Sequence, residues 1–571
     1  MMLRLFAGSG IAALLLGVSA SAAAAPASHP LTPRQLAQLV LERTQGGRFL
    51  SAQAHLGIQM LASGSTGISP PQQQPDSGQL RQAHAVANAQ VQTQTAAALP
   101  LCCASNVRVN NPTEDTHEVD QTTQSEPALA VTHGGSNIVV GFNDSQLSLP
   151  FTTAGMDFAG YSVSTDGGLT FTDKRALPNP ASDYRAGNNL GDPSLATDPA
   201  GNIYYSTISL DMADNAIGLS VGKSTNGGQA FGKPVWLSPM NQFGYMADKP
   251  RVATGLDPTL TSRTNVYAGW NDFFGDFNAC PNGYMSGLAF SRSTDGGAHY
   301  STIRHLDSSC NPAAPPGAPN NCTFDQYTGA DPVADTSSGT LYLAAWHVHG
   351  DNPTCASPPP PNSTTFEQRL FKSTDGGVNW TGPTKIADVN HVFFWGFLGP
   401  GKFVRTNDFP DMAVNGSNVY VVWNDARCTQ QACQSHIVMA TSSDSGQHFT
   451  TPADVTTGNM NELQPQISLD AAGLHVLYLQ LGATTFNAVV SNSSNGGSSW
   501  TAQRVSNVGS QGVFTLPQFD PMADPGYMGD YLANVSSGGH RYFAWGDNRN
   551  TVTDFMYPAG RKDPDVYFAK Q

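Results

Sequence analysis

The sequence predicts an all-β fold, a β-propeller of four-stranded antiparallel blades, and three observations predict it. One short phrase occurs six times: Ser, any residue, Asp or Asn, any residue, Gly, two variable residues, an aromatic. Self-similarity of this kind marks a repeat architecture. A longer unit of apolar strands surrounds each copy, opened by an acid- or amide-rich step and often Pro. Composition disfavours helices: of 43 acidic residues only Glu42, Glu114, Glu118, Glu126, Glu367 and Glu462 are Glu, while Gly, Pro, Asn, Ser and Thr abound.

Taken in order, residues 1–25 read as a signal peptide. Arg4 precedes the apolar run Ile11 to Val18, and small residues from Ser19 to Ala25 offer a cleavage site. No later segment is apolar for long enough to span a membrane. Residues 26–105 read as a pro-segment or spacer. Thr32-Pro33 opens a short helix with Leu36, Leu39 and Val40 on one face, and a Gln-, Ala- and Ser-rich low-complexity stretch follows from Pro70 to Ala98. Residues 106–571 form the propeller. Its first strands follow Glu126-Pro127, Asp192-Pro193, Asp248-Lys249-Pro250, Asp331-Pro332, Asp408-Phe409-Pro410 and Gln464-Pro465. Second strands end in Phe142, Trp270, Trp346 or Trp423. Third strands run into the repeated phrase and fourth strands leave it.

The phrase is a hairpin corner. An Asx side chain bonds its own backbone just ahead, and Gly takes a positive φ without steric cost. The corner residues Asp166, Asn226, Asp295, Asp375, Asp444 and Asn495 are therefore structural. A seventh unit has no corner: Asp530 to Ala533, Tyr542 to Trp545 and Asp565 to Ala569 supply three strands. Asn106 to Asn110 supply the fourth and remove an open edge. Seven blades result, with six plus an accessory hairpin as the alternative.

The net charge of −15 and the lack of a Lys/Arg cluster speak against nucleic acid. Eight cysteines suit an exported chain. Cys428 with Cys433 is the best pair and Cys310 with Cys322 the next. Cys280 and Cys355 then pair together or elsewhere, and Cys102-Cys103 pin the N-terminal segment. No zinc spacing is present, and no cofactor or metal is expected. A structural calcium ion near Asp520, Asp524 and Asp530 stays open, since their spacing fits no known loop.

Strand direction puts the corners on one face and the starts of first strands, with the ends of second strands, on the other. That second face collects Glu126, Asp192, Asp248, Asp331, Asp408, Asp411 and Asp530, and adds Asp144, Asp272, Asp425 and Asp547. Arg251, Arg405, Arg427 and Arg549 lie close by, as do Tyr245 and Tyr527 in the matching phrases Tyr245-Met246-Ala247-Asp248 and Tyr527-Met528-Gly529-Asp530. Crowded carboxylates suit a general acid, and arginines grip a sugar carboxylate. His347, His349 and His391 are candidate bases or ligands.

The six phrases resemble the Asp-box, or bacterial neuraminidase repeat, of the sialidase-like propellers, over residues 126 to 571. The resemblance implies a secreted hydrolase acting on an acidic sugar such as sialic acid. It implies catalytic roles for Glu126, Asp192, Asp248, Asp331, Asp530, Tyr245 and Tyr527. It implies substrate contacts for Arg251, Arg427, Arg549, Trp346 and Trp423. The Arg-Ile-Pro motif of sialidases is absent, and Arg108-Val109-Asn110 does not replace it. A non-catalytic propeller binding glycan or protein, a uronate lyase with a Tyr or His base beside an Arg, and a structural envelope protein are the alternatives. Arginines converging on one pocket mark an enzyme, and arginines each held by an Asp of their own blade mark a scaffold. A monomer is expected.

Overall fold

The computed structural model describes Gln35, Ala37 and Gln38, and then Leu99 to Gln571. It leaves out 116–121, 133, 148–156, 181–188, 212–215, 238–244, 277, 282, 313–322, 352–363, 393–394, 400–401, 406, 429–432, 459, 483–484, 512–527 and 554–557. The expected signal peptide and nearly all of the expected spacer lie outside the described residues. Of the helix expected after Thr32-Pro33, Gln35, Ala37 and Gln38 are helical and Ala37 is buried.

Among the described residues the chain forms six successive four-stranded antiparallel meanders and a seventh unit of three strands, with the second and third meanders joined by one parallel pair, Met246 opposite Ile217. Sheet one is Gln124–Val131, Ile138–Asp144, Ala159–Ser164 and Thr172–Ala176. Sheet two is Asn189–Thr197, Ile203–Asp211, Ala216–Ser224 and Val235–Trp236. Sheet three is Met246–Leu256, Thr264–Phe274, Gly283–Ser293 and Arg304–Pro312. Sheet four is Thr323–Ala334, Leu341–Asp351, Thr364–Ser373 and Thr381–Asp388. Sheet five is Asp411–Asn415, Asn418–Cys428, Cys433–Ser442 and Ala453–Asp454. Sheet six is Asn461–Asp470, Gly473–Leu481, Thr485–Ser493 and Thr501–Arg504. Sheet seven is Ala533–Ser537, His540–Val552 and Arg561–Lys570.

The outer strand of sheet seven is Val107–Arg108, with Val107 opposite Phe568 and Arg108 opposite Tyr567. A short hairpin, Trp395–Gly399 with Lys402–Arg405, stands between sheets four and five, and the side chain of Arg405 lies outside the description.

The cores lie between sheets. Sheets one and two enclose Val139, Tyr161, Ile203 and Tyr205. Later pairs enclose their own sets in the same way, down to sheets six and seven around Leu477 and Trp545. The seventh layer returns to the start, packing Tyr542 and Phe568 on Leu129 and Val140. The first strands follow the same closed cycle, so the sheets stand around an axis as in a propeller. Each layer removes one face of two sheets from water, which supplies the main drive for ring formation.

All six corners join third to fourth strands. In each, Ser Oγ donates to the Asx oxygen at 2.7–2.9 Å and accepts from a Gly N–H four residues on at 2.8–3.0 Å. Corners are also tied to the preceding sheet. Lys223 Nζ donates to Gly296 O at 2.9 Å, Arg292 Nη1 to Gly376 O at 2.7 Å, and Lys372 Nζ to Ser445 O at 3.1 Å.

The disulfide pattern corrects one expectation. Cys310 is bonded to Cys280, not Cys322, with Cα atoms 5.3 Å apart. Register explains it: Cys310 lies opposite Met285, next to the turn that carries Cys280. Cys102 is bonded to Cys103. Cys322, Cys355 and the side chains of Cys428 and Cys433 lie outside the description.

Candidate functional site

Five of the first strands, those of sheets one, two, three, four and six, are interrupted where they meet the axis. The ladder shifts between Ser125 and Ala128, Gly191 and Ser194, Asp248 and Arg251, Thr328 and Asp331, and Leu463 and Gln466. The equivalent residues at these bulges are Glu126, Asp192, Lys249, Gly329 and Gln464. This corrects the expected alignment. Asp248 falls one place before the bulge residue and Asp331 two places after it, because the bulge and not the proline fixes the register. Four of these residues precede proline, yet Glu126, Asp192, Lys249 and Gln464 have φ of 52°, 55°, 50° and 57°. Pre-proline residues favour extended backbone, so these are strained positions. The bulge aims their side chains at the axis.

What they meet there is an ion cluster. Lys249 Nζ lies 2.6 Å from Asp530 Oδ2, 3.3 Å from Glu126 Oε1 and 3.6 Å from Asp192 Oδ2. Phe409 and Tyr531 set their rings 5.6 Å from the same nitrogen. Asp530 N–H donates to Glu126 Oε1 at 3.0 Å, and Asn143 Nδ2 donates to Glu126 Oε2 at 3.1 Å. Gly529 makes room: a Cβ there would stand 2.6 Å from Glu126 Cγ. Burial pushes Asp192 well above the carboxylate range against the pull of Lys249, with Glu126 and Asp248 adding repulsion. Burial opposes the charge of Lys249, but Asp192, Asp530, Glu126 and Asp248 together hold its pKa above the ordinary lysine value.

A second level contains Arg251, 3.8 Å from Asp411 and 5.0 Å from the ring of Tyr531. Burial pushes Asp331 up to about 6 and Asp411 well above the usual range. The axial acids Glu126, Asp192, Asp248 and Asp530 are at most 2% exposed, and Asp331 and Asp411 are 7% exposed. They line a plugged axis and not an open mouth.

The ends of second strands share another device. In sheet five Trp423 Nε1 donates to Asp425 Oδ2 at 3.3 Å, and Arg427 holds Asp425 at 3.1 Å and Asp454 at 3.0 Å. In sheet seven Trp545 Nε1 donates to Asp547 Oδ2 at 2.7 Å, and Arg549 meets the same oxygen at 2.6 Å. Arg427 and Arg549 are thus each held by an Asp of their own sheet, while Arg251 reaches across the axis. The three do not converge. Trp346 and Trp423 are fully buried. Tyr245 is buried too, donating to Asp272 Oδ2 and accepting from Trp270 Nε1, both at 2.7 Å. His305 Nε2 meets the same Asp272 oxygen at 2.7 Å. Tyr527 lies outside the described residues.

A polar strip on this face is partly open to solvent, at the junction of sheets three and four. Asp325 brackets two histidines, His347 Nε2 at 2.9 Å and His349 Nδ1 at 2.8 Å, and the His349 side chain is 42% exposed. Tyr327 donates to Asp307 Oδ2 at 2.6 Å and accepts from Arg369 Nη1 at 2.7 Å, and its ring lies 4.7 Å from that of His347. Glu367 links Arg369 at 2.9 Å to Lys385 at 3.0 Å. His391 stands apart, bonded to Asp408 and stacked on Phe366. Sequence reasoning reached the two histidines but missed Lys249, Asp325, Tyr327 and Arg369. The signal for Lys249 was its place in the step that holds Glu126 or Asp192 in other units. His347 and His349 flank the apolar Val348, the alternation that puts both on one face, whereas Asp325-Gln326-Tyr327 and Glu367-Gln368-Arg369 are polar throughout and carry no such signal. Among the described residues no group of three or more His, Cys, Asp or Glu is placed to hold a metal ion, and no helix is long and apolar enough to cross a membrane.

No protein-family model matches the chain, and no curated protein matches it. Solved structures do. An α-L-arabinofuranosidase from Fusarium graminearum is 9% identical, with 82% of this chain and 98% of that one covered and a TM-score of 0.40. A mutant of the NanB sialidase from Streptococcus pneumoniae is 10% identical, with 83% and 99% covered and a TM-score of 0.36. A protein of unknown function from Dyadobacter fermentans is 13% identical, with 82% and 99% covered and a TM-score of 0.38.

Proposed function

We propose that the chain is an exported, seven-bladed Asp-box propeller that binds glycan on its loop face without an assembled sialidase centre. The observation that supports this is the state of the arginines. A sialidase-type pocket needs several guanidinium groups free to grip one carboxylate. Arg427 and Arg549 instead close on Asp425, Asp454 and Asp547 within their own sheets. The axial acids are likewise engaged by Lys249. The six corners and the even cysteine count support the Asp-box kinship and export.

A second reading, a lyase on uronate glycans, draws on the strip at sheets three and four. A histidine braced through Nδ1 by a carboxylate keeps Nε2 for proton transfer. His349 on Asp325 has that arrangement, with Tyr327 and Arg369 along the same strip. Incubating the purified full chain with sialosides and with uronate polysaccharides separates the readings. Binding without released sugar or unsaturated product is the expected outcome. Released sialic acid would overturn the proposal. Unsaturated product that disappears in His349→Ala would replace it with the lyase reading.

A further inference from the structure

The axial cluster has the composition of a reaction mixture as well as of a salt bridge. One amine nitrogen, Lys249 Nζ, touches Asp530 Oδ2 at 2.6 Å. Two further carboxylates, Glu126 and Asp192, stand at 3.3 and 3.6 Å. The side chain of Lys249 is 3% exposed and those of the three acids 0%. Phe409 and Tyr531 wall the nitrogen from water. Three carboxylates against one ammonium leave surplus negative charge in a dry interior. Such a site is relieved by taking up protons or by losing charges. Glu126, Asp192 and Lys249 are three of the four bulge residues other than glycine held in left-handed backbone, Gln464 being the fourth, so most of the strain at these bulges lies in the cluster.

We propose that Lys249 and Asp530 condense to an intramolecular amide, a covalent cross-link between the first strand of sheet three and the segment leading into sheet seven. Glu126 Oε1 is placed to take a proton from Nζ. That step is needed because the surrounding acids favour the ammonium over the free amine. The freed amine attacks Cγ of Asp530, the C–N bond forms, and one C–O bond of the carboxyl breaks. Of the three hydrogens on the ammonium, one remains on the amide and two leave with the oxygen as water. Nothing is oxidised or reduced, and no co-reactant enters. Asp192, which burial keeps prone to protonation, supplies and recovers the proton that makes the leaving oxygen a hydroxyl. Two effects favour the step: the reacting groups are held in contact by the fold, and the product replaces a desolvated ion pair by a neutral group. Asp530 N–H, 3.0 Å from Glu126 Oε1, keeps that base in place.

The test is mass spectrometry on the folded full chain, reduced and then denatured. The expected mass is one water below that calculated for the reduced chain from its observed N-terminus. Proteolysis should give a branched peptide joining the segments of Lys249 and Asp530. Recovery of Lys249 in a linear peptide, at full mass, overturns the proposal, and this reading needs no variant. Glu126→Gln, checked for native circular dichroism, should keep the full mass. A fully cross-linked Glu126→Gln would overturn the assignment of Glu126 as the base.

Discussion

A serine hydroxyl is the relay in every corner. It accepts a backbone N–H and passes its own proton to the Asx oxygen, which also takes one or two N–H groups from the residues ahead. In the first corner Asp166 accepts from Leu169 N and Thr170 N, both at 3.0 Å, and from Thr170 Oγ1 at 2.6 Å. Those bonds, led by the Thr170 and Ser164 hydroxyls, hold its carboxyl below the usual range. A depressed folded pKa means stability that is present above about pH 4, the unfolded value, and lost as pH falls. Asp166→Ala should cost about 1 kcal/mol, the size of a lost cap, in denaturant unfolding at neutral pH. Asp166→Asn should cost less, because Asn226 and Asn495 fill the same place elsewhere, and its deficit should shrink below pH 4. Equal losses for the two variants would contradict the relay.

These corners were legible because their chemistry is local, complete within eight residues. Lys249 was not, since nothing within its own strand says that Glu126, Asp192 and Asp530 will surround it. The expected sugar platforms Trp346 and Trp423 were misplaced for a similar reason. Sequence locates a strand end but not the neighbouring sheet that covers it.

Strands carry a second regularity that no single residue shows. Tyr204 lies opposite Lys223, Tyr267 opposite Arg292, Tyr342 opposite Lys372 and Tyr542 opposite Lys570. The ring supports a long cation, with Lys223 5.5 Å and Lys372 5.8 Å from their ring centres. The cation then reaches the corner of the next sheet. Lys223→Met should leave sheet two folded and speed amide hydrogen exchange in the corner at 293–300. Unchanged exchange there would show that the contact adds nothing. The pattern is visible in sequence as Lys or Arg just before the corner Ser. Its partner is not, because cross-strand register depends on bulges. The same limit shifted Asp331 out of alignment: a proline marks the axial step, while the extra residue of a bulge decides which side chain points inward.

At the scale of the molecule the ring is held shut by a polar clasp beside Val107–Arg108. Asn110 Nδ2 donates to Gln124 Oε1 at 2.7 Å and to Asp565 Oδ1 at 2.8 Å, and its Oδ1 accepts from Val566 N at 3.1 Å. Gln124 Nε2 in turn donates to Asp115 at 3.0 Å and Asp144 at 3.2 Å. Burial, with neighbouring acids, pushes Asp115 up to about 9 and Asp144 and Asp563 up to about 7. Raised folded values mean stability that is present below about pH 4 and lost as pH rises through 7 to 9. The unfolding temperature should therefore fall from pH 6 to pH 9.5, and Asp115→Asn should flatten that slope. Asn110→Ala should cost about 2–3 kcal/mol by orphaning buried partners. A slope that Asp115→Asn leaves intact would place the alkaline loss elsewhere. The closing strand itself was legible, because three strands at the C-terminal end left one edge to fill. The clasp was not, since amides and acids far apart in sequence carry no mark of one another.

That closing strand sets a timetable. A ribosome makes Val107 and Arg108 long before the strand at 561–570 with which they pair. Until that strand arrives, Val107–Arg108 lacks the strand it pairs with and the layer between Phe568 and Leu129 stays open. Val107 and Arg108 must wait for a strand made about 450 residues later, so the growing chain carries a greasy, unmatched flank through that whole stretch of synthesis.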